Sequence, residues 1–255
     1  MRPPDQLRSL VEDYLGDLAL TPELHGQIES VRYALVGGKR VRAVICLATA
    51  EAAGADAETA LPAAASLELV HAFSLVHDDL PSLDNDSERR GRPSVWAQHG
   101  EAVAVLAGDA LLAEAFRLAL SYPFPQAGRE LAQATLGMIG GQYLDITGTA
   151  PDEETLHKLK TGCLFSAAVG LALWVARVSE RDQSPWRAFG DELGLLFQIV
   201  DDILDGDGYV LAHGEEGARA LADEAAARAH ARLRDIAAET TTLEDIVSGL
   251  ATRTT

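Results

Sequence analysis

Two short acidic runs stand at the ends of strongly apolar stretches, and they carry the first chemistry legible in this chain. Asp78-Asp79-Leu80-Pro81-Ser82-Leu83-Asp84-Asn85-Asp86 follows the apolar run 69–76, and Asp201-Asp202-Ile203-Leu204-Asp205 follows Leu195-Leu196-Phe197-Gln198-Ile199-Val200. A carboxylate at the buried end of an apolar helix is costly unless something positive compensates it. In the second run Gln198, Asp202 and Asp205 recur four and three residues apart, and Asp201 stands one turn before Asp205. That spacing predicts that all four line one helix face. In the first run Pro81 ends the helix, so Asp84 is expected to fold back beside Asp78. A few hard oxygen donors with room left for water suit Mg²⁺ bridging a phosphate. A solvated helix end would account for either run alone, but the same form on two apolar segments argues for metal.

Basic residues supply the complement. Gly37-Gly38-Lys39-Arg40-Val41-Arg42 reads as a helix start, where backbone N–H groups and the helix dipole favour an anion, with Lys39 and Arg42 on one face. Arg89-Arg90 follows the first acidic run, and Lys160-Thr161-Gly162 reads as another basic helix start in a chain with three lysines. His71 and Phe73 lie on the segment leading to Asp78; His71 suits a satisfied core histidine or a ligand equally, and Phe73 alone reads as core. Chelating carboxylates beside anion-binding bases imply diphosphate chemistry, since a metal-clamped diphosphate leaves without any nucleophilic side chain. An apolar helical interior adds room for a hydrocarbon attached to that diphosphate.

The elements that must position these groups are helices. Ala, Leu and Glu dominate, apolar residues recur at intervals of three and four, and no useful length of strand alternation occurs. Breakers at Gly37-Gly38, Pro62, Pro81, Gly91-Arg92-Pro93, 123–125, Pro151 and Pro185 mark off about ten helical segments of roughly 12 to 25 residues. The stretches 67–76, 102–120 and 193–204 are apolar almost all round and are expected inside the molecule. With no linker, repeat or composition shift, residues 1–255 read as a single domain, an all-α bundle.

Composition bounds the partners. Apolar residues make up 47% and charged residues 24%, which excludes global disorder. The 39 acids against 21 bases, net −18, argue against nucleic acid as a ligand. The sequence shows no run of 18 apolar residues and no secretory signal at its start, so no membrane insertion and a cytoplasmic location are expected. Cys46 and Cys163 sit alone in apolar sequence and read as two buried free thiols.

GGKRVR (37–42), LVHDDLPSLDND with RRGRPS (75–94), LAGDALL (106–112), GGQYLDI (140–146), KTG (160–162) and FQIVDDILD (197–205) together closely resemble the trans-isoprenyl diphosphate synthases, or polyprenyl synthetases, in their bacterial farnesyl diphosphate synthase form. The resemblance runs from about residue 7 to 205 and implies a helical bundle around a deep central cavity, in a homodimer. It implies that isopentenyl diphosphate condenses with dimethylallyl or geranyl diphosphate to give mainly farnesyl diphosphate. Asp78, Asp79 and Asp84 would hold Mg²⁺ from one side and Asp201, Asp202 and Asp205 from the other. Arg89, Lys160, Thr161 and Gln198 would assist at the allylic diphosphate, and Lys39, Arg42, His71 and Arg90 would hold isopentenyl diphosphate. Phe73 would act as a floor that stops growth at C15. The proton lost on condensation would pass to the released diphosphate, and water must be kept from the carbocation.

One departure bears on this reading. The family's lysine-containing loop after the second aspartate motif is missing; Gly206-Asp207-Gly208 leads straight into sequence that reads as the next helix. A non-catalytic or regulatory subunit of a heteromeric synthase is therefore the alternative. A terpene cyclase shares the cation chemistry but needs no GGKR segment.

Overall fold

Alanine at 57, 60, 63, 64 and 65 and leucine at 67 and 69 leave one helix with almost no polar face, and it runs through the interior. In the computed structural model, which describes residues 1–253, this is α4 (Ala57–Asp78). It follows α1 (Pro4–Gly16), α2 (Gln27–Leu35) and α3 (Val41–Ala52). After it come α5 (Val95–His99), α6 (Glu101–Ala119), α7 (Gln126–Thr147), α8 (Glu153–His157), α9 (Cys163–Val175), α10 (Ser184–Asp205), α11 (Gly208–Arg234) and α12 (Thr241–Ala251). Helix α4 packs against α3, α6 and α9; α9 also meets α3, α7 and α10; and α10 lies along α11. Phe165, Phe189, Leu67, Leu111 and Leu131 are among the largest side chains fully removed from solvent, each contributing about 1.5–3 kcal/mol by burial. The all-α bundle is as expected.

Local departures have physical causes. Pro62 does not break α4. Proline lacks an N–H and its ring crowds the preceding turn, and here the Tyr122 hydroxyl enters the gap. It accepts from the Ala63 amide at 3.2 Å and donates to the Thr59 carbonyl at 2.8 Å. Burial pushes the Tyr122 phenol well above its ordinary value, so it stays a donor. Two two-residue strands, β1 (Glu88–Arg89) and β2 (Arg92–Pro93), pair antiparallel, a hairpin too short for any strand pattern to announce.

One expectation about apolar segments needs correction, and another needs a qualification of terms. Neither α4 nor the run 154–175 is an unbroken apolar run, but both reach by length and mean composition what could cross a membrane, and 72% of that window in α4 is buried inside the bundle, as in a core helix. The stretch 102–120 is not internal all round. Val105 and Leu106 on α6 are exposed, and so are Leu136, Ile139, Tyr143 and Ile146 along one side of α7. Cys46 is buried, its thiol pushed up to about 12 by desolvation, whereas Cys163 is only half-buried.

Tyr122→Phe removes the hydroxyl that serves both Ala63 and Thr59. The loss should cost about 1–3 kcal/mol, read as a lowered midpoint in thermal unfolding. A midpoint equal to the parent's would mean that the Pro62 turn needs no such bridge.

Candidate active site

Asp78 ends α4, and the chain then turns back on itself. Leu80 N–H bonds to His77 O, Asn85 N–H to Leu80 O, and Asp84 N–H to Asp78 O at 2.9 Å. Asn85 takes the left-handed conformation that closes the turn (φ 57°). This is the expected return of Asp84 to Asp78. Asp78 and Asp84 feel one another: burial first, then Asp84 and Asp79, raise the Asp78 carboxyl to about 6 against the pull of Lys160.

Asp79 points the other way. Its side chain is 3% exposed and accepts from Arg89 Nε at 3.0 Å, and Arg89 also reaches Asp86 at 3.2 Å. Burial raises Asp79 even with Arg89 beside it. Arg89 sits on β1, and the next residue, Arg90 (φ 57°), donates to the Gly37 carbonyl at 3.1 Å. A Cβ on Gly38 would stand 3.1 Å from the Arg90 guanidinium, so glycine there lets the two segments meet.

The GGKR segment is not a helix start with two cations on one face. Helix α3 begins at Val41, and Arg40 (φ 54°) caps it in the left-handed region. That costly conformation is held by Arg40 bonding to Glu12 at 2.9 Å, to Glu68 at 3.5 Å and to the Leu35 carbonyl. Lys39 is therefore outside the helix and exposed, while Arg42 is inside, its guanidinium 4.6 Å from the centre of the Phe165 ring. Arg42 Nε is buried with no hydrogen-bond partner, and desolvation lowers its pKa. His71 is driven well below its ordinary value by burial and then by Arg42 and Arg90, so it is neutral.

Helix α10 divides its acids between two sides. Successive residues advance about 100° around a helix, and Asp202 has turned from the cavity that Asp201 lines. Asp202 is 4% exposed; it accepts from Gln198 Nε2 at 2.6 Å and from the Tyr209 amide at 2.9 Å. Gln198 and Tyr209 line a separate space of about 470 Å³ beside α7 and α9, so the four residues Gln198, Asp201, Asp202 and Asp205 do not share one face. Asp205 is exposed at the helix end, and the chain turns at once through Gly206 (φ 75°) and Asp207 into α11. A Cβ on Gly208 would meet Asp202 Cγ at 2.7 Å, so this tight turn needs glycine. The missing loop is thus a real feature of the fold, and α11 itself bends at Gly214 (φ 73°).

Lys160-Thr161 is not a helix start either. Residues Lys158–Gly162 form a π turn joining α8 to α9, a form frequent at functional sites. The Lys160 ammonium pairs with Asp145 of α7. A Cβ on Gly141 of α7 would stand 2.5 Å from the Lys160 backbone nitrogen, whereas one on Gly140 meets nothing within 4 Å.

These elements enclose a cavity of about 450 Å³ that brings together Arg42, His71, Phe73, Asp78, Lys160, Thr161 and Asp201. Leu83, Met138, Ile139 and Leu164 make much of its wall apolar. Sequence reasoning missed Arg253. It lies 3.8 Å from Asp201 and 5.8 Å from the Phe197 ring centre, and with desolvation it lowers the Lys39 pKa. No local signal marks a residue some fifty positions from its partner.

Among the described residues no three His, Cys, Asp or Glu side chains stand together closely enough to hold a metal ion. The donor set still fits a hard divalent cation. Asp78 and Asp201 face one cavity from two helices, with Asp84 beside Asp78; Asp79 is held by Arg89, Asp202 by Gln198 and the Tyr209 amide, and Asp205 is exposed at the end of α10.

Two outcomes follow. Gly141→Ala should lower stability by about 1–3 kcal/mol in thermal unfolding, because backbone rather than a flexible side chain blocks the new methyl; Gly140→Ala should be neutral or slightly stabilising. Equal effects would remove Gly141 from positioning Lys160. An Asp78 carboxyl at about 6 is mostly protonated at pH 5 and mostly ionised at pH 7. Mg²⁺ affinity measured by calorimetry should therefore rise about tenfold between those values, and a flat profile would contradict the assignment.

Residues 27–223 match the Polyprenyl synthetase family model. The chain is 42% identical over 193 residues to a geranylgeranyl diphosphate synthase of Cyanophora paradoxa, covering 69% of this chain and 64% of that one. It is 43% identical over 197 residues to the large subunit 1 of a heterodimeric chloroplastic geranylgeranyl pyrophosphate synthase of Arabidopsis thaliana, covering 69% and 53%. The chain thus spans about half to two thirds of the length of these curated relatives. Among solved structures, a geranyltransferase from Legionella pneumophila superposes with a TM-score of 0.86 at 31% identity, over 97% of this chain and 95% of the other. An FPP/GFPP synthase from Zymomonas mobilis gives 0.84 at 31% identity, over 97% and 99%. The narrower likeness to a bacterial farnesyl synthase is not what the curated relatives carry in their names. With the folded-back aspartates, the glycine-dependent approach of Arg90 and an apolar cavity already in place, the match over residues 27–223 establishes that the chain belongs to the polyprenyl synthetase family.

Proposed function

We propose that this chain is a short-chain prenyltransferase that condenses isopentenyl diphosphate with dimethylallyl or geranyl diphosphate and releases mainly farnesyl diphosphate. The observation that carries the reading is the two-part character of one cavity. Asp78, Asp201, Arg42 and Lys160 gather where α4 and α10 end, and Phe73, Leu83, Met138 and Ile139 line the same space. That is the shape of an amphiphile with a diphosphate head. Family membership supports the reaction class, and the similar solved structures include a geranyltransferase and an FPP/GFPP synthase. The curated relatives are named for the longer geranylgeranyl product, so the C15 assignment rests on Phe73. Phe73 stands five residues before Asp78, about 7.5 Å along the helix, with its ring in the cavity wall.

The chain's own groups have these roles. Lys39, Arg42, Arg90 and the neutral His71 would bind isopentenyl diphosphate; Arg89, Lys160, Thr161 and Gln198 would serve the allylic partner, Gln198 through Asp202. A divalent cation such as Mg²⁺ would be held first by Asp78, Asp84 and Asp201, with Asp205 at the exposed helix end, while Asp79 and Asp202 would join only by exchanging Arg89 and the Tyr209 amide for the metal; it would supply neutralising charge for the departing diphosphate. Phe73, Leu164 and Phe197 keep water from the allylic carbocation, which would otherwise end as an alcohol. No side chain placed here is needed as a base, because the released diphosphate can take the proton.

The exposed Val105 and Leu106 of α6 and Leu136 of α7, which lie outside the cavity lining, support self-association, since exposed apolar side chains on single chains can mark interfaces. The named heterodimeric relative keeps a heteromer, with this chain as a non-catalytic or regulatory subunit, as the second reading.

Purified chain with Mg²⁺, isopentenyl diphosphate and each allylic primer should yield farnesyl diphosphate by mass analysis. Activity only after mixing with a full-length homologue would favour the subunit reading. Asp78→Ala or Asp202→Ala should lower turnover by at least ~10² with the fold intact by circular dichroism. Parent-like rates in both would sink the metal assignment. Phe73→Ala should lengthen the product; an unchanged distribution would remove Phe73 from that role.

A further inference from the structure

The residue immediately before the first aspartate motif has a setting that this reading leaves unused. His77 lies one turn after Phe73 on α4, and their rings meet edge to face, centroids 5.0 Å apart and planes at 73°. Both side chains line the cavity of about 450 Å³. His77 Nε2 is 3.0 Å from the Val105 carbonyl of α6, and because a carbonyl only accepts, Nε2 carries the hydrogen and donates it. The imidazole lies over Gly108. A Cβ there would fall 2.9 Å from His77 Cε1 and closer still to two other ring atoms, so the ring occupies the space a side chain at 108 would fill. Gly108 is buried on a regular helix, so the open backbone is used here for close approach rather than for a turn.

We propose that His77, seated in the Gly108 notch and anchored to Val105, is a positioning residue for product length. It holds the Phe73 ring in place and so fixes how far a growing hydrocarbon extends. Helical side chains lean toward the N-terminus, so His77 bears on the level of Phe73 rather than on Asp78. The hydrogen bond fixes the imidazole, the notch sets its depth, and the edge-to-face contact passes that constraint to Phe73. Removing the ring frees Phe73 to swing and deepens the cavity. Filling the notch drives the ring toward Phe73 and makes the cavity shallower. This inference rests on the prenyltransferase reading and deepens it at the same site.

The test is the product distribution at fixed primer and isopentenyl diphosphate, analysed by mass. His77→Ala should raise the ratio of the next longer product to the parent product about fivefold, the scale of one aromatic contact. His77→Gln keeps a donor at the same reach but has no ring, and should behave as His77→Ala does. Gly108→Ala should shift products shorter. The double variant Gly108→Ala with His77→Ala should match His77→Ala, since the new methyl then enters vacated space; it also serves where Gly108→Ala alone fails to fold. Unchanged ratios in His77→Ala, or a parent-like ratio in His77→Gln, would overturn the ring contact. A chain that elongates nothing would defeat the functional reading separately. The inference is then read from binding of saturated alkyl diphosphates of increasing length by calorimetry. The longest chain bound should increase in His77→Ala, and an identical cut-off would overturn the inference.

Discussion

Asp79 and Arg89 form the contact on which the site's assembly depends. A carboxylate with only 3% of its side chain exposed cannot stay charged without a partner, and Arg89 is that partner. Pairing them pins the short hairpin of β1 and β2 beneath the end of α4. The hairpin in turn delivers Arg90 to the Gly37 carbonyl and lays its guanidinium against Gly38. One ion pair therefore sets the spacing of three chain segments: the aspartate turn, the basic hairpin and the loop before α3. Arg40 works in the same manner one layer deeper, where Glu12 and Glu68 hold a left-handed residue that decides where α3 begins.

Much of this was legible in the order of residues, and the failures share a cause. Pro81 after two aspartates is a local instruction, and Asp84 does return to Asp78. Gly206-Asp207-Gly208 is equally local, and the chain does turn there without a loop. Helical spacing misjudged α10, because listing residues three and four apart ignores what each side of the helix meets. Asp202 is claimed by the Tyr209 amide, a partner on the following helix. Lys39 and Arg42 are likewise separated by the unforeseen conformation of Arg40. The π turn at Lys158–Gly162, the bridge over Pro62 and the approach of Arg253 to Asp201 are all tertiary facts, settled by packing between segments far apart in sequence.

Charge shows the same division between whole and part. The chain carries −18 overall, which ought to repel any anionic ligand at long range. Around the cavity acids and bases are nearly matched: Arg42 and Lys160 line it together with Asp78 and Asp201, Lys160 pairs with Asp145, and Lys39 and Arg253 stand beside Asp201. At roughly 8 Å, the screening length in physiological salt, the local cations count for more than distant acids.

The Tyr122 hydroxyl inside α4 has a bearing on how the molecule comes apart. Ala63 and Tyr122 are 59 residues apart in sequence, yet the amide of one is closed by the phenol of the other. Solvent cannot reach that amide while the segment after α6 remains docked, so local fraying of α4 is tied to detachment of a distant connection. The deep end of the central helix and the connection between α6 and α7 therefore open as one cooperative unit, and isotope exchange at Ala63 reports on both.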